Sequence, residues 1–173
     1  MIFNNPRLSA ARKKIAQLVE QQTPKSFPGA PKSLGIIIDV KNLKAFDSLI
    51  CLQKHLKIPA AGFKVFYHAP NKTKPEGLDA GVFNIHDFDT KGEIINNEIE
   101  EISSKGVDLL LTFAAEKNTT AHLLTAYFNA GLKVGRYQQN AALYDLILQT
   151  EEDPELFVEE LLKYLKHVTK KHQ

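Results

Sequence analysis

Two apolar runs frame the chain: Ile36, Ile37 and Ile38, and Leu109, Leu110 and Leu111. Neither alternates with polar residues, as expected of strands covered on both faces in a parallel sheet. Around them, strands are predicted at residues 33–40, 63–68, 82–88, 107–113, 132–137 and 143–149. Between them the apolar period lengthens to three and four, which predicts helices. These fall at 7–22, 43–56, 92–104 and 119–130, with a last helix opened by Asp153 as cap and Pro154 at the first position. Gly131 stands where a left-handed residue would close the fourth of them.

Strands alternating with helices predict an α/β fold, a three-layer, doubly wound, mostly parallel sheet of about six strands, because right-handed crossovers place helices on both faces. The first helix stands apart. Leu8, Ala11, Ile15, Leu18 and Val19 form its stripe, and Pro24, Pro28, Gly29 and Pro31 follow as a linker. The expected organisation is a basic helical arm and linker at residues 1–32 and one α/β domain at 33–173.

Charge sharpens that division. The 173 residues carry a net charge of only +2. Yet residues 1–34 hold Arg7, Arg12, Lys13, Lys14, Lys25 and Lys32 against the single acid Glu20. A basic arm on a mildly acidic body points to an anionic partner, RNA or a ribonucleoprotein first among them. The arm has only Phe3 and Phe27 as aromatics, so stacking on bases is not expected. The one cysteine, Cys51, allows no internal disulfide and lies in an apolar pattern that predicts a core position. The opening residues lack the apolar core of a signal peptide, and no run approaches a membrane span, so a cytoplasmic protein is expected.

In a doubly wound sheet, ligands bind beyond the carboxyl ends of the strands, where the strand order reverses. The residues predicted there are Asp39, Lys41 and Asn42, then His68, Asn71 and Lys72, then His86, Asp87 and Asp89, then Glu116, Lys117, Asn118 and Thr119, and last Arg136, Gln138, Gln139 and Asn140. No glycine lies between Asp39 and Phe46, so the dinucleotide fingerprint is absent, as is a phosphate-loop motif. No metal-binding spacing of Cys and His occurs, and no cofactor is predicted. The candidate pocket residues are Asp39, Asn42, Asp87, Asp89, Glu116 and Arg136. The four carboxylates, if they converge, suit a hard divalent cation. Arg136 presents a fork suited to a phosphate or carboxylate, or to an ion pair with Glu116, Asp145 or the last helix. Read more plainly, Asp39 caps the helix after it.

Three resemblances bear on this reading. Residues 36–43, with Asp39 followed three positions later by Asn42, are similar to the first strand of PIN/NYN-type ribonucleases, which would imply a metal-dependent nuclease. That family needs a later acidic pair, and residues 112–118 do not supply one. The block Asp108 to Gly135 is faintly similar to the N-terminal half of heptosyltransferase-type enzymes, whose nucleotide-binding half has no counterpart here. More broadly, the basic helix, the strand at 33–39, Lys133-Val-Gly-Arg136 and Leu143-Tyr-Asp-Leu146 together resemble a family of small bacterial α/β proteins of unknown function. That resemblance implies a fold and no chemistry.

Two functions are therefore expected in competition. One is a non-catalytic binding module that contacts a macromolecule through its basic arm. The other is a small enzyme or sensor that holds a phosphorylated ligand or a divalent metal at the strand ends.

Overall fold

The apolar runs become the centre of one sheet. In the computed structural model, which describes residues 5–23, 26–27, 29–39, 44–71, 73, 76 and 81–171, six parallel strands lie in the order β3-β2-β1-β4-β5-β6. They are β1 (Leu34–Asp39), β2 (Phe63–His68), β3 (Gly81–Phe83), β4 (Val107–Phe113), β5 (Ala130–Gly135) and β6 (Leu146–Ile147). Five helices accompany them: α1 (Pro6–Glu20), α2 (Phe46–His55), α3 (Asn97–Lys105), α4 (Thr119–Tyr127) and α5 (Pro154–Lys171).

The two faces of β1 are dry for different reasons. Leu34, Ile36 and Ile38 pack with Leu49 and Leu52 of α2 and with Phe157, Leu161 and Leu165 of α5. Ile37 turns to the other face and meets Ile99 of α3 and Ala121 and Leu124 of α4. Strand alternation thus feeds two cores at once. Asp39 shares the parity of Ile37, so it leaves β1 on the α4 side.

The N-terminal helix does not stand off the body as an arm. Its stripe finds a partner. Ala11 is fully buried in the core of the α4 face, and Ile15, Leu18 and Val19 pack against Ala126, Leu143 and Tyr144. Polar ties add to this. The Arg7 guanidinium donates to the Phe88 carbonyl at 2.7 Å, and the Lys14 ammonium pairs with Glu93. Asn5 caps the helix by accepting from the Arg7 amide, and Pro6 opens it, as the sequence suggests.

Several boundaries differ from expectation. Gly131 lies inside β5, because α4 ends three residues earlier and the Asn129 carbonyl accepts from Val107 at the start of β4. Gly106 takes the left-handed conformation instead, at φ 78°, closing α3; a Cβ there would meet the Asn129 oxygen at 2.1 Å. The expected third strand is cut short at Phe83. Asn84 and Asp87 then form a reciprocal cap around a single 3-10 turn, Ile85–Asp87, which takes His86 and Asp87 out of the sheet. Cys51 is exposed on α2 rather than in the core, its thiol against the Asp47 carbonyl at 3.2 Å. No described helix is long and apolar enough to cross a membrane.

Candidate functional site

The strand order reverses between β1 and β4. From β1 the chain runs outward through β2 and β3; from β4 it runs the other way through β5 and β6. Three polar side chains meet at the carboxyl ends there. Asp39 ends β1, and its register partner His68 ends β2. Asn118 follows β4 and caps α4, its side-chain oxygen accepting from the Ala121 amide at 3.0 Å. The same side chain reaches both neighbours. Its amide nitrogen lies 2.8 Å from Asp39 Oδ2 and 3.1 Å from His68 Nδ1.

That geometry fixes the histidine tautomer. The Asn118 amide only donates, so Nδ1 of His68 accepts and the ring proton sits on Nε2. Burial lowers the His68 pKa below its ordinary value, against the opposing pull of Asp39. The ring is therefore a neutral imidazole whose Nε2–H has no partner among the described residues. Phe83 supports it, with ring centroids 5.4 Å apart.

A cavity of about 410 Å³ opens on this trio. Asp39, His68 and Asn118 form its polar wall, Leu8, Ile85 and Pro70 its apolar one, and Lys117, Thr119 and Thr120 bring in the first turn of α4. A larger hollow of about 820 Å³ lies on the other side of Lys117 and Thr119, between α1 and residues 139–143. His122 borders it and is fully engaged. Its Nε2–H donates to the Ala115 carbonyl at 3.1 Å, and its Nδ1 accepts from the Tyr144 hydroxyl at 2.7 Å. Burial holds this imidazole neutral too and pushes the Tyr144 hydroxyl well above its usual range.

The remaining sequence candidates go elsewhere. Asp87 is buried in its capping turn, where it accepts from the Asn84 amide and from Asn96. Asp89 closes a surface turn through the amides of Lys91 and Glu93, and those bonds lower its pKa. Glu116 borders the larger hollow. Among the described residues, no group of three or more His, Cys, Asp or Glu side chains comes together in a way that could hold a metal ion. Asn42, Lys41, Lys72 and Lys25 lie outside the described residues.

Arg136 is 3% exposed and faces inward. It donates to the carbonyls of Ala114 and Glu151, both at 2.7 Å, and its guanidinium stacks 3.8 Å from the Phe113 ring centre. None of Glu116, Asp145 and the acids of α5 forms an ion pair with it among the described residues. It clamps the end of β4 to the turn before α5. On the basic helix, Arg12 and Lys13 stay exposed, while Lys32 uses its backbone amide to reach Asp108 at 2.7 Å.

A family profile covers residues 7–168, from the start of the basic helix to the end of the α5 core. The chain belongs to DUF6913, a family of unknown function. Because the DUF6913 match begins at Arg7, it takes in α1 together with the sheet that α1 packs on. No curated protein and no solved structure matches the chain.

His68 and Asn118 are expected at the strand ends but do not stand among the six candidate pocket residues. Their signals were in the chain. Asn118 precedes Thr119 and Thr120 just after a central strand, the position of a helix cap at the switch point. His68 ends the strand beside Asp39. What the sequence cannot convey is that one amide bridges both.

Proposed function

We propose that this protein binds a small phosphorylated molecule bearing hydroxyl groups at the β1/β4 switch point. The observation that supports this is the bridge from Asn118 to Asp39 and His68 on the wall of a cavity. It puts a carboxylate, an imidazole N–H and a helix start in one small space. Carboxylate oxygens accept from hydroxyls; the His68 Nε2–H, with Lys117 beside it, suits phosphate oxygens. Such a site binds and orients. A sensor or carrier role fits it as well as a catalytic one.

The test is a thermal-shift and calorimetric screen of the full chain with inorganic phosphate, sugar phosphates and nucleoside monophosphates. A ligand near its dissociation constant gives little shift, while a hundredfold excess stabilises by about 2.7 kcal/mol. Binding that disappears in His68→Ala supports the reading. Binding that survives both His68→Ala and Asn118→Ala puts the ligand elsewhere and sinks it.

A second reading is contact with RNA or a ribonucleoprotein through α1. Arg12 and Lys13 of α1 are exposed and favour it, with Lys32 exposed just before β1, whereas Arg7 and Lys14 are engaged with the body. Since α1 is part of the packed core, the test is the double charge reversal Arg12→Glu, Lys13→Glu in the intact chain. RNA affinity that falls steeply with salt and with this change supports it; affinity indifferent to both rules it out.

A further inference from the structure

The two hollows beside α4 share two walls. Lys117 and Thr119 border both, and α1 lies over both, with Leu8 at the smaller and Ile15, Ala16 and Val19 at the larger. The larger one is chemically unlike the smaller. Its histidine already has partners at both nitrogens, and the Asn140 amide nitrogen lies 3.4 Å from the Glu116 carbonyl. Its rim charges offset each other, Arg12 and Lys117 against Glu20 and Glu116. What it offers an occupant is apolar surface from Ile15, Val19, Ala142 and Leu143.

We infer that the two hollows form one bipartite site, in which the switch-point cavity holds the phosphate end of the ligand and the groove under α1 holds an apolar body joined to it. This rests on the phosphate reading above and adds the class of molecule. The argument is continuity and complementarity. A ligand head in the switch-point cavity borders Lys117 and Thr119, and the same two residues border the groove. There His122 is already bonded at both nitrogens and the Asn140 amide reaches the Glu116 carbonyl, while the charged side chains stand at the rim. At about 820 Å³ the groove has room for a body of two fused rings or more. A purely polar ligand would leave it filled with water.

The experiment compares inorganic phosphate, glucose 6-phosphate and 1-naphthyl phosphate by calorimetry on the full chain. Burying a bicyclic ring should make 1-naphthyl phosphate bind about tenfold to a hundredfold tighter than glucose 6-phosphate. Ala142→Trp fills the groove from one wall, and Ala16→Trp from the other; both positions are exposed, so the added ring enters the groove and not the core. Either variant should remove the difference between the two organic phosphates. His68→Ala should weaken all three probes alike.

If the three probes bind the wild type with equal affinity, the bipartite inference falls and the switch-point reading stands. A naphthyl preference that persists in both tryptophan variants also overturns it. Naphthyl binding that ignores His68→Ala overturns it too, since the groove would then be a separate apolar site. If no probe binds at all, the switch-point reading falls with it.

Discussion

The amide of Asn118 lies 2.8 Å from the carboxylate of Asp39, across the line where the strand order of the sheet reverses. One short side chain thereby caps a helix, anchors the end of the first strand and sets the tautomer of a histidine on the second. Asn118→Ala removes the cap and both donors, and should destabilise the fold by about 1–3 kcal/mol in urea unfolding. Asn118→Asp keeps the cap but sets a second carboxylate against Asp39. It should cost at least as much at pH 7, where the two carboxylates face each other. A smaller cost at pH 7 than for the alanine variant would mean that the bridge to Asp39 contributes nothing.

His68 and His122 both have pKa values lowered by burial. The unfolded chain, with histidines near 6.5, therefore takes up protons that the folded chain refuses. Stability is full above about pH 6.5 and declines as pH falls toward the folded values. Urea midpoints measured from pH 8 to pH 5 should drop, and the drop should shrink in His122→Gln. A profile that rises on acidification contradicts the neutral assignment of both rings.

Arg136 joins two carbonyls from different segments, Ala114 and Glu151. A lysine keeps the charge but lacks the planar fork. Arg136→Lys should therefore lose most of what Arg136→Ala loses, on the order of 2–4 kcal/mol for two stranded carbonyls and the stacking on Phe113. Full stability of the lysine variant would show that charge, not the fork, is what matters.

Gly135 lies under the Tyr144 ring, where an added Cβ would sit 2.7 Å from the nearest ring carbon. Gly135→Ala has to push that ring off and disturb the hydroxyl that serves His122. We expect a loss of roughly 2 kcal/mol, together with a changed His122 ring signal in NMR titration. An unshifted His122 resonance would mean that the ring moves without its hydrogen bond breaking.

Much of this fold was legible because β1 and β4 are buried on both faces and say so in their apolar runs. The edges were harder. At β3 and β6 the local preference for strand was real, but the capping pair Asn84 and Asp87 ended the first early and turns through residue 143 delayed the second. Gly131 looked like a helix stop because glycine serves that purpose and also serves close strand packing; only the neighbouring Asp108 carbonyl, 2.8 Å from where a Cβ would be, separates the two. At the site, Asp39 was readable as the end of a strand. Arg136 drew attention as the cation at the end of its strand, but a strand-end arginine can turn toward a pocket or toward its own backbone, and sequence does not fix which. The basic face of α1 was plain, whereas the apolar stripe beneath it needed a partner more than a hundred residues away, on α4.

That separation has a consequence for the chain as it leaves the ribosome. The stripe of α1 emerges first, and its partner helix is complete only at Tyr127. The central pairing of β1 with β4 likewise waits for Phe113. Until then an amphipathic basic helix without its partner and an apolar strand covered only from the side of α2 and β2 coexist on the same nascent chain. Folding is thus gated by the synthesis of the middle of the sequence, and the first half is the stretch for which a chaperone has work to do.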